Sequence, residues 1–266
     1  MKERLDVLLT NRGLFPSREK ARAAIMAGIV SVDGQRIDKA GTRVDTDSDI
    51  RITDDTCPYV SRGGLKLEKA IEVFGIDLKG AKACDIGAST GGFTDCMLRN
   101  GASHVWCIDV GYGQLDWKLR NDPRITNLEK TNIRYLQEGA VDNDLNFISI
   151  DVSFISLKLV LPVAASLLSE EGSLVCLVKP QFEAGREQVG KKGIVRDPAV
   201  HKEVINNVIA FGKDNGLYPA GLDFSPVTGA KGNIEYLLFM TRKLCDNEVD
   251  VTGVVSRSHS SLRQNT

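Results

Sequence analysis

Apolar side chains at the start of the chain first recur at a helical spacing and then alternate with polar ones. Two short stripes have the helical spacing: Leu5, Leu8 and Leu9, and then Ala21, Ala24 and Ile25. Ser17 is a typical N-cap for the second stripe, and Gly28 is a typical helix end. Residues 29–37 alternate around Asp33-Gly34, a strong hairpin signal, and residues 49–52 add a short strand-like run. The pattern predicts helices over 4–12 and 18–27, a hairpin and a third strand, hence a small α+β domain.

From residue 61 onwards, strand-like and helix-like segments alternate. The strand-like segments cover residues 83–87, 105–109, 125–128, 147–151, 173–178, 220–224 and 235–241. The helix-like segments cover residues 65–74, 93–100, 114–119, 157–168 and 200–215. Such alternation predicts a parallel sheet with helices on both faces, and right-handed crossovers make it a doubly wound α/β fold. Ligands of this fold bind at the carboxyl ends of the strands, so we expect the site after Asp85, Asp109, Asp151 and Val178.

The change of pattern divides the chain into four parts. We predict a first domain over residues 1–56, a linker over 57–61 around Pro58, a second domain over 62–245 and a polar C-terminal tail over 246–266. The valines of the tail alternate weakly with polar residues, which is compatible with an extra edge strand or with a frayed end.

Composition and charge exclude several classes of protein. The 266 residues include 34 Lys plus Arg against 35 Asp plus Glu, so the formal net charge of -1 excludes a histone-like polycation and an acidic-tail protein. The longest nearly apolar run, residues 157–168, is far shorter than the roughly 20 residues of a membrane-spanning helix, and the first residues lack an apolar signal segment. The six cysteines form no Cys-x-x-Cys pair, which argues against a zinc site and a disulfide framework. We therefore expect a cytoplasmic protein with buried thiols, no membrane span and no metal site.

Positive charge is concentrated at the start of the chain. Residues 1–30 hold six basic and three acidic side chains, whereas residues 31–60 hold four and seven. Arg18, Lys20 and Arg22 of the second helix either form a solvated helix face or contact RNA phosphates. The hairpin directly after this helix favours the second interpretation, because a helix supplies phosphate contacts while a sheet edge fixes orientation. In this order, the elements resemble the S-four-type RNA-binding domain over most of residues 4–55.

A glycine-rich loop follows the first strand of the second domain. It reads Asp85-Ile86-Gly87-Ala88-Ser89-Thr90-Gly91-Gly92-Phe93, and small residues there let the backbone approach a ligand closely. The spacing differs from the Gly-x-Gly-x-x-Gly motif of dinucleotide-binding proteins, which argues against a nicotinamide-dependent enzyme. Asp109 ends the next strand, 22 residues after Gly87, where a carboxylate can accept hydrogen bonds from both hydroxyls of a ribose.

Together, the loop and the strand-end acid resemble the S-adenosylmethionine (SAM) site of class I methyltransferases. The resemblance implies SAM as the cofactor and a seven-stranded Rossmann-like sheet as the fold. The candidates for cofactor binding are Asp85, Gly87, Ala88, Ser89, Gly91, Gly92, Phe93, Asp109 and, after the third strand, Asn132.

Four charged residues lie at or near the predicted strand ends. Asp151 ends the fourth strand without the Asn/Asp-Pro-Pro-Tyr motif that many methyltransferases of bases and amines carry. Lys66 precedes the first strand, Lys179 follows the fifth, and Glu235 lies in the last. In order and position, these residues resemble the Lys-Asp-Lys-Glu tetrad of the FtsJ-like ribose 2′-O-methyltransferases. The resemblance implies that the four are the catalytic residues.

The chemistry of ribose methylation suits these residue types. A ribose hydroxyl is a poor nucleophile at neutral pH, so the enzyme must orient the oxygen and relieve it of its proton. Burial and the charge of Lys66 favour a neutral Lys179, whereas Asp151 and Glu235 favour the ammonium form. A neutral Lys179 acts as general base, and an ammonium stabilises the developing alkoxide. The sequence leaves both roles open.

Three further motifs extend the resemblance to nearly the whole chain. They are Tyr-Val-Ser-Arg-Gly-Gly-Leu-Lys-Leu at 59–67, Asp-Val-Gly-Tyr-Gly-Gln-Leu at 109–115 and Lys-Pro-Gln-Phe-Glu-Ala-Gly-Arg at 179–186. With the two domains, they resemble the TlyA family of ribose 2′-O-methyltransferases, which act on cytidines of small- and large-subunit ribosomal RNA and are often called haemolysins. The resemblance implies ribosomal RNA or ribosomal subunits as partners and leaves the oligomeric state open.

Basic residues near the two predicted sites are candidates for RNA contact. The loop over residues 185–196 carries four of them and either contacts phosphates or is simply solvated. The candidates are Arg4, Arg18, Lys20, Arg22, Arg62 and Arg186.

Two other functions fit parts of this pattern. A membrane-active haemolysin needs a spanning or strongly amphipathic apolar segment and an export signal, and the sequence shows neither. A non-catalytic rRNA-binding or assembly factor would carry a broken tetrad or glycine loop, whereas both are intact here.

Overall fold

The computed structural model describes residues 2–37, 39–52, 57–229, 232–244 and 248–263. The chain forms two compact units, Met1–Pro58 and Tyr59–Thr266, and each has its own hydrophobic core. The predicted end of the first domain, residues 53–56, lies outside the described residues.

The first unit joins two helices to two small sheets. The helices are α1 (Leu5–Asn11) and α2 (Arg18–Ala27), which pack together. The strands are β1 (Lys2–Arg4), β2 (Val30–Val32), β3 (Gln35–Arg36), β4 (Arg43–Asp45) and β5 (Ile50–Ile52). β1 pairs with β4, and β2 lies between β3 and β5, all antiparallel. The predicted helices, hairpin and third strand are confirmed, whereas β1 and β4 are too short for their alternation to be detected in the sequence.

Local signals explain these elements. The hydroxyl of Ser17 accepts a hydrogen bond from the backbone N–H of Lys20, and Gly28 ends α2 in the left-handed conformation with φ 69°. Asp33 and Gly34 both have positive φ, as a type I′ hairpin turn requires. The leucines and isoleucine of the two stripes are buried in the core of the unit, as their helical spacing predicts.

The second unit is built on one seven-stranded sheet with helices packed against it. The strands are β6 (Lys82–Ile86), β7 (His104–Ile108), β8 (Ile125–Leu128), β9 (Leu145–Ile150), β10 (Leu168–Val178), β11 (Tyr218–Phe224) and β12 (Tyr236–Thr241). The helices are α3 (Gly63–Phe74), α4 (Gly92–Arg99), α5 (Trp117–Arg120), α6 (Leu161–Leu167), α7 (Pro180–Glu183), α8 (Pro198–Lys213) and α9 (Val251–Arg263). The strand order is β11-β12-β10-β9-β6-β7-β8, which confirms the predicted α/β fold.

The prediction of a parallel sheet is wrong for strand β12. Strands β8, β7, β6, β9 and β10 are parallel, but β12 runs antiparallel to both β10 and β11. The connection over residues 225–235 is too short for the helical crossover that joins parallel neighbours. The reversal places the start of β12 where the parallel strands end, because Tyr236 pairs with Val178.

Two predicted helices are shorter than their patterns indicated. The segment predicted over 157–168 forms a 3₁₀ turn at Leu157–Leu159 and then α6, which has a proline in its first turn. The last residue of the predicted segment, Leu168, already belongs to β10. The segment predicted over 114–119 is helical only in α5, which begins after Asp116 caps the backbone N–H of Lys118.

Residues 251–263 of the predicted tail form a helix, so over this range both expectations, an edge strand or a frayed end, are wrong. α9 packs against α8 and β11. Its buried residues Val254, Val255, Ser258 and His259 recur at the helical spacing i, i+1, i+4, i+5. This spacing was present in the sequence but was less visible than the alternation of the valines.

Candidate active site

The predicted site residues of the second unit converge at the carboxyl-terminal edge of the sheet, the side on which its parallel strands end. The loops after β6, β7, β8, β9 and β10 all leave this edge, because these strands are parallel. Glu235 directly precedes β12, which starts at the same edge because it is antiparallel. Lys66 reaches the edge from the first turn of α3.

The four predicted catalytic side chains form an alternating row of amines and carboxylates. Lys66 Nζ lies 2.7 Å from Glu235 Oε2 and 3.7 Å from Asp151 Oδ2. Lys179 Nζ forms an ion pair with Asp151 Oδ1 and donates a hydrogen bond to Ser153 Oγ at 3.2 Å. Glu235 and Lys179 are buried, and Lys66 and Asp151 are largely so. The structure thus brings together four residues that span 170 positions of the sequence, from 66 to 235.

The charges of this row stabilise one another against burial. Burial by itself would favour neutral Lys66, but the carboxylates of Asp151 and Glu235 outweigh it and raise the pKa of Lys66. Burial likewise opposes the Asp151 anion, but the two lysines outweigh it and lower the pKa of Asp151. Lys66 is therefore an ammonium and Asp151 a carboxylate at neutral pH.

The glycine loop packs tightly against the end of β9. Gly87 has φ 87°, and a Cβ there would lie 2.5 Å from the backbone oxygen of Asp151. Gly91 has φ 91°, and a Cβ there would meet the side chain of Leu119 at 2.3 Å. Gly92 begins α4, and Ala88 and Phe93 beside it are buried. The glycines are therefore required by the path of the loop itself, whatever the ligand.

Asp85 lies behind the loop rather than in it. Its carboxylate is buried and accepts hydrogen bonds from Thr94 Oγ1 at 2.7 Å and from Ser149 Oγ at 3.0 Å. Burial raises the pKa of Asp85 to about 7, against the opposing effect of the two hydroxyls. The contacts join β6 to the first turn of α4 and to β9, so Asp85 supports the loop from inside.

Asp109 is the carboxylate that faces the loop. Its Oδ2 accepts a hydrogen bond from the backbone N–H of Ser89 at 2.7 Å, and its Oδ1 accepts one from the backbone N–H of Gly111 at 2.6 Å. The side chain of Ser89 also contacts that of Gln114. Asn132 caps the following 3₁₀ turn through a hydrogen bond from the backbone N–H of Arg134.

The candidates for RNA contact are distributed over both units. Arg4 and Arg18 pair with the two oxygens of the buried Asp6, at 3.0 and 2.8 Å, and remain about half exposed. The hydrogen bonds of Arg4 are the largest of several effects that lower the pKa of Asp6 to about 2. Lys20, Arg22 and Arg186 are exposed, and Arg62 is partly buried just before α3.

Sequence reasoning missed an exposed aromatic side chain beside the tetrad. Phe154 is 90% exposed, has φ 63°, and its ring centroid lies 4.8 Å from that of Phe182. Phe182 in turn lies under Lys179 Nζ, 5.9 Å from its ring centroid. An aromatic three residues after a strand-end acid was the available signal, but exposure cannot be inferred from one sequence.

Neither a membrane span nor a metal cluster is found in the part of the chain that the structure describes. No helix among the described residues is both long and apolar enough to cross a bilayer. Within the same residues, no three His, Cys, Asp or Glu side chains gather as a set of metal ligands.

Two family models match the chain. The FtsJ-like methyltransferase model matches residues 59–242, and the S4 domain model, which corresponds to the S-four-type domain predicted above, matches residues 3–50. These matches lie within the second and first units respectively.

Known proteins match over nearly the full length. YqxC of Bacillus subtilis (strain 168) is 50% identical over 272 residues, covering 99% of this chain and 96% of that protein. The 16S/23S rRNA (cytidine-2′-O)-methyltransferase TlyA of Mycobacterium tuberculosis is 42% identical over 262 residues, covering 98% and 97%. A solved structure from Streptococcus thermophilus, which bears the name hemolysin, has a TM-score of 0.77 at 46% identity and covers 99% and 98%. The chain therefore belongs to the TlyA family, in which an S4 domain is joined to an FtsJ-like methyltransferase domain, as its motifs predicted.

Proposed function

We propose that this protein transfers a methyl group from SAM to the 2′-hydroxyl of a cytidine ribose in ribosomal RNA. The observation that carries the proposal is the row formed by Glu235, Lys66, Asp151 and Lys179 at the sheet edge that also carries the glycine loop. Such a row is a site for orienting and deprotonating a weak oxygen acid. The name of the M. tuberculosis relative states the same reaction for that protein.

The loop after β6 and the acid after β7 fit SAM. SAM carries two ribose hydroxyls that need acceptors, and Asp109, which is partly exposed, offers its remaining lone pairs beside the loop. We infer that Gly87, Ala88, Ser89, Gly91, Gly92 and Phe93 shape the pocket, with Asn132 bordering it. Asp85, being buried, acts indirectly by holding the loop to α4 and β9. When bound, SAM supplies a sulfonium methyl group that is open to in-line attack by an oxygen.

Lys179 is the residue that we place against the ribose hydroxyl. Lys66 and Glu235 pair with each other at one end of the row, whereas Lys179, at the other end, follows the strand end and lies beside the exposed Ser153 and Phe154. A neutral Lys179 accepts the proton of the hydroxyl, and an ammonium stabilises the oxygen anion while the proton leaves to another acceptor. In either case Asp151 orients Lys179 through their ion pair, and Lys66, which also pairs with Glu235, orients Asp151.

Exposed aromatic groups support an unpaired nucleotide as the substrate. Enzymes that modify a nucleotide inside RNA take it out of the stack and hold it on aromatic side chains. Phe154 presents its ring to solvent beside Lys179 and is braced by Phe182. Further exposed aromatics follow β7 and β8, namely Tyr112, Trp117 and Tyr135.

We propose that the first unit binds the same RNA. The exposed Lys20 and Arg22 on α2, with Arg4 and Arg18 fixed by Asp6, offer several cations on a small domain. Arg62 and Arg186 of the second unit are further candidates for phosphate contact. A ribosomal RNA substrate implies that the enzyme works in the bacterial cytoplasm.

The test is transfer of labelled methyl from SAM to purified ribosomal subunits, followed by mapping of ribose methylation. We expect Lys179→Ala to lower the rate by about 1,000-fold or more, with the Kd of SAM within about 3-fold of wild type. The matched control is Lys213→Ala, which removes an exposed lysine at the end of α8.

The pH dependence of kcat separates the two roles of Lys179. If it is the general base, kcat rises with pH to a plateau in wild type, whereas an ammonium role requires a fall at high pH. Methylation by Lys179→Ala at the wild-type rate would contradict the catalytic assignment, and methylation of a base instead of a ribose would contradict the proposed function.

A further inference from the structure

The segment between β9 and α6 carries two groups that border the proposed site. Ser153 Oγ accepts the hydrogen bond from Lys179 Nζ, and Phe154 stacks at an angle on Phe182. Both residues are exposed, and the positive φ of Phe154 is unfavourable for a residue with a Cβ. Contacts elsewhere must therefore hold this segment in its conformation.

Glu183 makes such contacts. Its Oε2 accepts a hydrogen bond from Ser156 Oγ at 2.7 Å, and its Oε1 accepts one from the backbone N–H of Leu157 at 2.8 Å. Ser156 also accepts a hydrogen bond from the backbone N–H of Lys158, so it caps the 3₁₀ turn while it holds Glu183. The side chain of Leu157 is buried in the core, which anchors the far end of the segment.

The position of Glu183 connects the two loops that carry Asp151 and Lys179. Glu183 is the last residue of α7, the short helix that begins directly after Lys179. Its hydrogen bonds reach residues 156 and 157, five and six positions after Asp151. Phe182, the residue before it, packs on Phe154. The ends of β9 and β10 are therefore tied together beside the ion pair of Asp151 and Lys179.

The carboxyl group is not an ordinary surface charge. It is half-buried, and burial raises the pKa of Glu183 against the two hydrogen bonds. Among the described residues, no lysine, arginine or histidine lies within ion-pair distance of it. It instead accepts hydrogen bonds from one hydroxyl and one backbone N–H of the adjacent loop.

We propose that Glu183 is a positioning residue for methyl transfer, which keeps residues 153–157 in place so that Asp151 and Ser153 orient Lys179. The inference rests on the proposed function. Loss of the carboxylate leaves the Ser156 hydroxyl and the Leu157 N–H without their acceptor, and the segment relaxes. A displacement of about 1 Å at a reacting group lowers the rate on the order of 100-fold.

The experiment compares Glu183→Ala and Glu183→Gln in the full chain. We expect the alanine variant to lower kcat by about 10- to 100-fold, with the Kd of SAM, measured by calorimetry, within about 3-fold of wild type. The glutamine variant restores most of the rate, because its amide oxygen accepts from Leu157 N–H and its amide nitrogen donates to Ser156 Oγ. Glu170→Ala, which removes an exposed glutamate near the start of β10, is the matched control.

Ser156→Ala supplies an independent variant if Glu183→Ala does not fold. It removes one of the two hydrogen bonds of Glu183, together with the cap on the Lys158 N–H, and keeps the hydrogen bond from Leu157. Its kcat therefore falls less than that of Glu183→Ala, and in the double variant the two losses are less than additive. A normal rate in both Glu183→Ala and Ser156→Ala, with Lys179→Ala inactive, overturns the positioning role but leaves the proposed function. A loss that glutamine does not restore also overturns it. A wild-type chain that methylates no ribosomal RNA overturns the proposed function itself.

Discussion

Single residues of the second unit show two ways of burying a carboxylate. Asp151 lies between two lysines, which keep it ionised and lower its pKa. Asp85 has the hydroxyls of Thr94 and Ser149 and a backbone hydrogen bond from Thr94, and its pKa rises to about 7 because burial is not compensated by a cation. The first arrangement keeps a charged group at the proposed active site, and the second holds the glycine loop from behind.

The raised pKa of Asp85 makes stability depend on pH. Between its ordinary pKa and about 7, the folded state binds a proton that the unfolded state does not, so the free energy of unfolding falls as pH rises through this window. Asn at position 85 does not titrate. We expect the stability of wild type relative to Asp85→Asn to fall by on the order of 2 kcal/mol from pH 5 to pH 7.

Urea unfolding at several pH values measures this difference. Asp77→Asn, which removes an exposed carboxylate, is the control for the loss of charge. Parallel pH profiles of wild type and Asp85→Asn would show that Asp85 is ionised throughout and would contradict the prediction.

At the scale of elements, the direction of β12 completes the site. Had β12 been parallel to β10, its start would lie at the opposite edge of the sheet, far from Asp151 and Lys179. Because β12 is antiparallel, Glu235 lies at the edge of the sheet where the parallel strands end, and its carboxylate contacts Lys66. Three sets of elements, α3, the parallel strands and β12, are therefore needed to assemble one row of four side chains.

Helix α9 is the second element whose packing can be tested. Val255 is fully buried among α8, β11 and the rest of the core. We expect Val255→Ala to lower the free energy of unfolding by about 2 kcal/mol, because it leaves a cavity in this core. Denaturant unfolding measures the change, and the neighbouring exposed Ser256→Ala should change stability by less than about 0.5 kcal/mol. Equal stability of the two variants would mean that the tail is not docked.

At the scale of the whole molecule, the near-zero net charge conceals a local distribution. The cations of α2 belong to the first unit, whereas the row proposed to be catalytic belongs to the second. Binding of RNA and binding of SAM should therefore be separable by mutation.

We expect the double variant Lys20→Ala/Arg22→Ala to weaken ribosomal RNA binding and to leave the Kd of SAM unchanged. Each lost phosphate contact reduces the slope of log K against log salt by about 1. The measurement is a salt titration of RNA affinity, with Lys213→Ala as a control for loss of one exposed lysine. An unchanged slope and affinity would assign α2 to the solvated helix face that composition alone also permits.

Much of this architecture is legible in local patterns. The helical stripes of α1 and α2 follow the helix period of 3.6 residues, and the strands follow the strand period of 2. The Asp33-Gly34 turn is recognised by its two residues. The sequence displays all of these signals directly. The glycine loop and the acid after β7 are likewise local motifs. For this reason the S4 and FtsJ-like domain types, the α/β class and the family could be predicted, and the structure and the comparisons confirm them.

Other features depend on contacts between residues that are distant in the chain. The antiparallel direction of β12 depends on its pairing with β10, and the position of α9 depends on the core that it shares with α8. A local sequence period encodes neither of them. The same holds for the burial of Asp85 against Thr94 and Ser149 and for the exposure of Phe154, both of which are set by residues distant in the chain. The sequence thus identifies the charged residues of the candidate site. The distances between their side chains and their burial, which determine their ionisation, are set only when the sheet forms.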